Sequence, residues 1–220
     1  MEGKKWEIRN EKKHKFKDSP LGRIPEEWEV VELGNIFDIN PEKVNYSTTP
    51  QIRYIDIESV TEGKILNYKK FSLWNAPSRA RRLVREGDII ISTVRPNLKA
   101  FGMITKQFDN YVCSTGFAVL RSKNNRILPN FMFYVSFFDK FFLKQVLPLI
   151  VGSNYPAINS FDLYKILIPL PPLPEQERII SILSQIDETI EKEQKYKAKL
   201  ERIKQGLMED LLTGKVRVEV

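Results

Sequence analysis

The stretch "IPLPPLPEQERII", residues 168–180, holds four prolines within six residues and leads directly into a long segment without helix breakers. Proline is excluded from a helix interior, but the first helical turn tolerates it because the missing N–H would have no partner there. We therefore predict that Pro174 begins a helix and that Thr213 and Gly214 end it. Such a helix would be about 57 Å long at about 1.5 Å per residue. The preceding prolines would hold the chain extended and fix the direction in which the helix leaves the rest of the protein.

Apolar side chains recur along one face of this predicted helix, near both of its ends. A helix of this length with an apolar stripe is typical of a chain that pairs with another helix. Charged residues interrupt the stripe, since Glu193, Lys197 and Lys204 fall on the same face, so an unpaired, solvated helix stays an alternative. The predicted pairing face consists of Ile179, Leu183, Ile186, Ile190, Leu200, Ile203, Leu207 and Leu211.

The part of the chain before the prolines alternates short apolar runs with turn residues, which is typical of β-strands. From Pro129 onward phenylalanines recur at helical spacing, which predicts one buried helix over residues 129–147. A loop, a short helix and a last strand are expected before the prolines. The predicted fold class is α+β, a mixed α/β globular domain followed by one long C-terminal α-helix. The predicted strands are 28–33, 52–57, 88–93, 100–105 and 111–120, with turns at 61–64 and 85–88.

Cysteine and histidine each occur once in the 220 residues, as Cys113 and His14. One of each provides neither a disulfide framework nor the ligands of a zinc centre. His14 lies in a lysine-rich N-terminal segment, which argues against a Ser–His–Asp triad, and no phosphate-binding glycine motif occurs. We therefore expect no catalytic residues, no metal and no cofactor. Since no apolar run reaches about 20 residues and no signal-peptide core precedes the body, a cytoplasmic protein without a membrane partner is expected.

The charge of the chain is basic and unevenly distributed. The net charge is +7, and residues 64–106 hold ten lysines and arginines against only Glu86 and Asp88. A basic excess concentrated in one window indicates a polyanionic partner, although a solvated basic face is the simpler alternative.

Three segments contain candidate contacts to double-stranded DNA. The first is "SRARR", 78–82; the second is "STVRPNLKAFG", 92–102; and the third is "GSNYPAINS", 152–160. Arginine and lysine can pair with phosphates or with guanine, asparagine can read adenine, and tyrosine can stack or contact a phosphate. A plain connection remains the alternative for the third segment. The candidate DNA-binding residues are Arg79, Arg81, Arg82, Arg95, Asn97, Lys99, Ser153, Asn154 and Tyr155.

A second hypothesis is a Mg²⁺-dependent nuclease. Asp38 with Glu62 and Lys64 would supply carboxylates and a cation of the kind that hold a metal ion near a scissile phosphate. The same residues 61–64 are also explained by a simple hairpin turn, which is the more economical interpretation.

With these residues in hand, the chain resembles the DNA-specificity (S) subunits of type I restriction–modification systems. The resemblance extends from about residue 22 to residue 214, and its most specific part is the "PLPPLPEQ" start of the long helix. The segments that carry it are "IPEEWEVVELGNI", 24–36; "GDIIISTVRP", 87–96; "STGFAVLR", 114–121; and "GSNYPAINSFDLYKILIPLPPLPEQERIISIL", 152–183.

The resemblance implies a sequence-specific DNA-binding subunit that recognises one half of a bipartite site. Family members carry two target-recognition domains, each followed by a long helix, and the two helices pack antiparallel. Adenine methylation and DNA cleavage belong to separate modification subunits and to restriction subunits, so this chain would itself be non-catalytic.

This chain departs from that pattern because it holds one recognition domain and one helix. The resemblance therefore implies either a half-size subunit that forms a homodimer through its C-terminal helix or a fragment of a longer protein; we expect the former. The predicted domains are a basic arm, 1–20; a target-recognition domain, 21–173; a dimerisation and spacer helix, 174–213; and a tail, 214–220. A coiled-coil adaptor without a DNA role stays a rival hypothesis, since "PLPPLP" could also be a polyproline ligand.

Overall fold

A computed structural model describes residues 9–10, 12–45, 50–152 and 156–219 of the chain. The chain divides into two compact units, Met1–Glu177 and Arg178–Val220. The strands are β1 Phe16–Lys17, β2 Ile24–Pro25, β3 Glu29–Glu32, β4 Phe37–Ile39, β5 Gln51–Ile55, β6 Val60–Thr61, β7 Lys64–Ile65, β8 Lys69–Ser72, β9 Ala80–Leu83, β10 Ile89–Ser92, β11 Phe101–Met103, β12 Val112–Ser114, β13 Phe117–Ser122 and β14 Leu167–Leu170. The α-helices are α1 Leu33–Ile36, α2 Pro129–Phe137, α3 Leu143–Val146, α4 Ser160–Leu163 and α5 Leu173–Leu212.

Two four-stranded sheets form the body of the first unit. The first sheet has the strand order β11-β10-β13-β4 and is antiparallel; the second has the order β8-β5-β12-β9, with β5 and β12 parallel. Residues of both sheets meet in one buried cluster that includes Ile55 and Cys113 from the second sheet and Ile90, Phe117 and Val119 from the first. The core therefore lies between the two sheets, and the α+β fold class predicted from the sequence is confirmed.

The predicted strand over 111–120 is wrong in its continuity, because it is two strands that belong to different sheets. β12 pairs with β5 and β9, whereas β13 pairs with β10 and β4. Thr115 and Gly116 separate them. Strands that change sheet at a corner are a normal way to join two packed sheets, and an alternation of apolar residues does not reveal which sheet each half joins.

The predicted single helix over 129–147 is also wrong, since α2 ends at Phe137 and α3 begins at Leu143. Phe101 of β11 has its ring centroid 5.5 Å from that of Phe137 and 5.9 Å from that of Phe142. In one continuous helix, residues 137 and 142 would point about 140° apart at about 100° per residue. The break at Phe138, which has an extended backbone, lets both rings pack against Phe101.

The first turn of α5 is anchored in the first unit by Gln176. Its side chain is fully buried. The Leu128 N–H donates to Gln176 Oε1 at 2.8 Å, and Gln176 Nε2 donates to the carbonyls of Arg126 and Pro171, each at 2.8 Å. The glutamine of the "PLPPLPEQ" segment therefore joins the proline-rich collar to the loop that precedes α2.

Glu175 makes a second set of contacts with the N-terminal part of the unit. Arg9 Nη2 lies 2.6 Å from Glu175 and 2.9 Å from Glu27, and the Trp28 indole N–H donates to Glu175 at 2.9 Å. In the segment predicted to be a flexible arm, Phe16–Lys17 pairs with Ile24–Pro25.

The long helix predicted from the prolines is confirmed, and it begins at Leu173, one residue before Pro174. The Pro172 carbonyl accepts from the N–H groups of both Glu175 and Gln176, which explains the earlier start. The helix ends at Leu212, and Gly214 has φ +72°. That the collar fixes the direction of α5 stays a prediction. Among the helices of the described ranges, none combines the length and the apolar character needed to cross a membrane.

Candidate nucleic-acid interface

The turn formed by Thr115 and Gly116 connects the segments that the sequence singled out separately. The Thr115 N–H donates to the Arg79 carbonyl at 2.8 Å. The Thr93 N–H and hydroxyl both donate to the Gly116 carbonyl, at 2.8 and 2.9 Å. "SRARR" and "STVRPNLKAFG" are therefore held against the same turn, at the point where the chain passes from one sheet to the other.

Any side chain larger than that of glycine at position 116 of this turn would have to displace Ile57. A Cβ at Gly116 would lie 2.5 Å from Ile57 Cδ1, which is closer than real Cβ contacts occur. The Gly116 N–H donates to Ser114 Oγ at 3.1 Å. The Ile57 side chain therefore packs directly over the turn, and the backbone of Gly116 sits between two hydrogen-bonded neighbours.

The third predicted segment is joined to the second by backbone hydrogen bonds. The Ile158 N–H donates to the Thr93 carbonyl at 2.9 Å, and the Arg95 N–H donates to the Pro156 carbonyl at 2.8 Å. Val94 and Ala157 form an isolated antiparallel bridge. The described parts of the three segments are thus linked by backbone hydrogen bonds, either directly or through the Thr115–Gly116 turn.

Arg95 is presented on a tightly shaped loop. Its backbone is left-handed, with φ +48°, and Lys99 has φ +50°; a 3₁₀ turn, Pro96–Leu98, lies between them. A left-handed backbone is uncommon for residues other than glycine and marks a segment whose shape is imposed by its surroundings. The bond from the Arg95 N–H to Pro156 is part of that constraint.

Arg79 and Arg95 line the same open groove, whose volume is about 730 Å³. Lys69 lines it as well, and so do the carboxylates of Asp56 and Glu58. The groove is therefore mixed in charge, with three cations and two carboxylates. Its apolar lining includes Leu98, whose side chain is largely exposed.

Asp56 is held in place within this groove. Asp56 Oδ2 lies 2.5 Å from Lys69 Nζ, and Asp56 Oδ1 accepts from the Ser59 N–H and hydroxyl at 3.0 and 2.6 Å. Burial alone would raise the pKa of Asp56, but the bonds from Lys69 and Ser59 outweigh it and lower that pKa. Asp56 is thus an ionised cap of a 3₁₀ turn, and Glu58 is the exposed carboxylate of the groove.

The other predicted DNA-binding residues differ in how accessible they are. Arg81 is exposed, and its Nε donates to the Ser78 carbonyl at 2.9 Å. Arg82 is half-buried, and burial lowers the pKa of its guanidinium. Lys99 is 2.6 Å from Asp139, whereas Asn97 is exposed on the 3₁₀ turn. Ser153, Asn154 and Tyr155 lie outside the described residues.

Sequence reasoning missed Gly116 and Glu58 of this surface, and it also missed one exposed aromatic residue that precedes "SRARR" in the chain. Nothing in the pattern marked Gly116, because a glycine inside an apolar run looks like part of a strand. Glu58 was missed because positive charge was the signal used to predict DNA contacts. Trp74 lies on a 3₁₀ turn in the connection from β8 to β9, and its side chain is 91% exposed; a tryptophan beside "SRARR" was the available signal.

The residues of the nuclease hypothesis are not brought together. Asp38 lies on β4, at one edge of the first sheet. Glu62 and Gly63 form the turn of the β6–β7 hairpin, with φ +40° and +90°, and the Gly63 N–H donates to Phe101 on the opposite edge strand, β11. The hairpin interpretation of residues 61–64 is therefore confirmed. Among the described residues, no group of three or more His, Cys, Asp or Glu could hold a metal ion.

A separate network of charges lies at the other end of the β10–β13 pair, away from the Thr115–Gly116 turn. Arg121 donates to both oxygens of the buried Asp88, each bond 2.8 Å, and also contacts Glu42 at 3.0 Å. Arg85 donates to both oxygens of Glu42, at 3.0 and 2.5 Å. The hydrogen bond from Arg85 is the largest cause of the lowered pKa of Glu42. These side chains pair with one another and link β13 to the loop before β10 and to the loop after β4.

The fold and this surface together define a class of protein: an α+β head with basic loops on one face, continued by a long helix. Residues 25–202 match the family described as the type I restriction modification DNA specificity domain. Because this match covers most of the chain, the chain belongs to that family.

The chain is similar to specificity subunits of several organisms. It is 32% identical over 212 residues to the MjaVIII specificity subunit of Methanocaldococcus jannaschii, with 93% of this chain and 50% of that protein covered. It is 30% identical over 185 residues to the EcoDI specificity subunit of Escherichia coli, with 81% and 39% covered. The chain thus spans about half the length, or less, of the curated relatives that it matches.

Solved structures give the same result. The HsdS subunit from Thermoanaerobacter tengcongensis is 34% identical, with a TM-score of 0.70, over 84% of this chain and 48% of that one. A chain from a structure that addresses complex assembly and conformational transition of the type I R-M system is 33% identical, again with a TM-score of 0.70. The match covers 89% of this chain and 52% of that one.

Proposed function

We propose that this chain is a sequence-specific DNA-binding specificity subunit of a type I restriction–modification complex, which recognises one half of a bipartite DNA site. The observation that carries this proposal is the groove that Arg79 and Arg95 share. The two arginines come from segments that are joined through the Thr115–Gly116 turn by backbone hydrogen bonds. Rigidly presented arginines are suited to guanine O6 and N7, or to phosphates.

The groove reads base edges, because its charge is mixed. A surface that only held phosphates would gain nothing from an exposed carboxylate at Glu58, which repels the DNA backbone. The DNA groups that a carboxylate accepts from in the major groove are the amino groups of cytosine and adenine. Leu98 offers an exposed apolar side chain that suits a thymine methyl group.

The proposal extends to the other subunits and to the division of the chain. Residues 21–173 form the target-recognition domain, 174–213 the dimerisation and spacer helix, 214–220 a tail, and 1–20 a basic arm. The chain itself is non-catalytic. Modification subunits dock on it and through them restriction subunits, in accordance with the family to which the chain belongs.

Two copies form a homodimer through α5 and thereby restore two recognition domains. In a two-fold dimer both domains are identical, so the DNA site would be an inverted repeat with a spacer. A helix of 40 residues is about 60 Å long, which spans more than one DNA turn of about 34 Å.

The test is DNA binding by the purified chain together with mapping of methyladenine in cells with and without its gene. Selection from random duplexes should return a split, palindromic site, and the affinity for it should fall steeply with salt. Arg79→Ala combined with Arg95→Ala should abolish the preference for that site. Binding that is insensitive to salt and to both substitutions would refute the proposal and favour a coiled-coil adaptor.

A further inference from the structure

The apolar face of α5 is solvent-exposed along most of its length. In the second unit, the exposed fractions are 55% for Ile186, 49% for Ile190, 46% for Leu200 and 54% for Leu207. Along this face the residues alternate at spacings of four and three, which is the seam of a coiled coil. The residues at this spacing are Ile179, Leu183, Ile186, Ile190, Glu193, Lys197, Leu200, Lys204, Leu207 and Leu211; Ile203, which also belongs to the predicted pairing face, flanks this seam.

This seam is symmetric about Lys195. Ile179 and Leu211 are equally distant from Lys195 in sequence, and so are the members of each further pair. Those pairs are Leu183 with Leu207, Ile186 with Lys204, Ile190 with Leu200, and Glu193 with Lys197. In heptad terms, every pair joins an a position of one helix to a d position of the other. This is the combination that meets across an antiparallel coiled coil.

We propose that the antiparallel pairing of α5 with α5 of a second copy, the helix arrangement that the family resemblance implies, takes the register centred on Lys195, and that Glu193 of each copy pairs with Lys197 of the other. This inference rests on the homodimer of the proposed function and adds its register and the residues that select it. Three apolar pairs, each occurring twice by symmetry, supply the contact area, and the two Glu193–Lys197 layers flank the two-fold axis.

A parallel pair of helices would place each residue beside its own copy. Glu193 would face Glu193, Lys197 would face Lys197 and Lys204 would face Lys204, so three layers would hold like charges. In the antiparallel register no layer holds two like charges. Lys204 lies opposite Ile186, where its long side chain can reach solvent. The charged residues that interrupt the stripe therefore select the orientation.

The distribution of charge along the helix favours the same orientation. Residues 187–193 carry four acidic residues and one lysine, whereas residues 195–204 carry five basic residues and one glutamate. Antiparallel pairing about Lys195 sets the acidic stretch beside the basic stretch of the other copy. Parallel pairing would set each stretch beside its own kind.

Antiparallel registers shifted by one heptad are poorer. A shift in one direction pairs Ile179 with Lys204, Ile186 with Lys197 and Ile190 with Glu193. A shift in the other direction leaves Ile179 and Leu183 without partners. Within a single chain, Lys197 has only a loose contact, 3.8 Å from Glu201, so pairing with Glu193 of a second copy displaces no strong ion pair.

Charge reversal tests this register. Glu193→Lys alone places lysine beside Lys197 of the partner, and Lys197→Glu alone places two glutamates together. Each should weaken dimerisation on the order of tenfold in sedimentation equilibrium, because two attractive layers become repulsive. The double variant should return to within about threefold of the parent. Glu188→Lys, an exposed residue on the opposite face, is the matched control for charge and should change dimerisation much less than either seam variant, by no more than about twofold.

Disulfide trapping tests the same register independently of stability. A chain with Ile190→Cys mixed with a chain with Leu200→Cys should cross-link, and neither should cross-link with itself; the native Cys113 is buried. Self-linking of Ile190→Cys would show a parallel pair and overturn the inference. A chain that is monomeric at all concentrations would overturn it together with the proposed homodimer. Salt-sensitive DNA binding by the Glu193→Lys variant separates either failure from that of the recognition head.

Discussion

Replacement of Gln176 by alanine should destabilise the first unit strongly. The side chain is fully buried and makes three hydrogen bonds of 2.8 Å, to the Leu128 N–H and to the Arg126 and Pro171 carbonyls. Alanine leaves all three groups without this partner. Arg126 is exposed, so water can satisfy its carbonyl, whereas the Pro171 carbonyl loses a buried bond and the Leu128 N–H a partly buried one.

The expected magnitude follows from those two groups. Each buried donor or acceptor left unpaired costs about 1–3 kcal/mol, so Gln176→Ala should lower the free energy of unfolding by about 4 kcal/mol. A domain of this size has a stability of about 5–15 kcal/mol, and the melting temperature should fall by roughly 10 °C. Since the proposed dimerisation would make stability depend on concentration, the variants are compared at one concentration.

Urea unfolding and amide hydrogen exchange measure the effect. The exchange of the Leu128 amide should accelerate with Gln176→Ala. The control is Gln185→Ala, an exposed position on the same helix, which should change the free energy of unfolding by no more than about 0.5 kcal/mol. If both variants unfolded alike and Leu128 kept its protection, Gln176 would not be an anchor and the reasoning would be refuted.

The remaining predictions concern DNA recognition and pH. Arg95→Ala or Asn97→Ala should each cost about 1–3 kcal/mol in affinity for the selected site and relax preference at one base pair; unchanged affinity and preference in a binding competition would contradict both roles. Glu58→Gln should reduce discrimination at a single cytosine or adenine while the salt dependence stays the same, and uniform strengthening on all sequences would instead mean simple repulsion of the backbone. The pKa of Glu42 is lowered in the folded chain, chiefly by its hydrogen bond from Arg85, so its contribution is present at neutral pH and is lost as the pH falls through that lowered value. Glu42→Gln should therefore reduce stability at pH 7 by about 1–2 kcal/mol after solvent screening and flatten the acid side of a urea-unfolding profile; a parallel profile would contradict it.

Local patterns predicted several elements correctly. The short apolar runs predicted β3, β5, β10 and β11 to within a few residues, because each of these strands turns buried or half-buried apolar residues toward neighbouring elements. Strands β4, β8 and β9 were not predicted, although they complete the two sheets. β8 and β9 each contain two consecutive charged residues, and β4 has only three residues, so none of them shows a recognisable strand pattern.

The candidate site was less accessible to sequence reasoning than the fold. The local excess of lysine and arginine indicated Arg79 and Arg95 as candidates, but no pattern in the sequence predicted that the two line one groove. That proximity depends on Thr115 and Gly116, which bond to segments on both sides. The position of the Glu58 carboxylate in the groove could not be predicted for the same reason: it depends on contacts between segments that are distant in sequence.

The sequence by itself determined the long helix, because its start and end depend on nearest neighbours: prolines that remove N–H donors and a glycine that accepts a left-handed backbone. The sequence also contains the symmetric spacing about Lys195, in which most apolar seam residues pair with apolar ones and Glu193 pairs with Lys197. Only the tertiary structure decided that residues 112–122 cross from one sheet to the other, and that residues 129–147 break so that two rings reach Phe101. Those outcomes depend on packing between residues that are far apart in the chain. The free energy of such contacts cannot be inferred from the residues nearby in sequence.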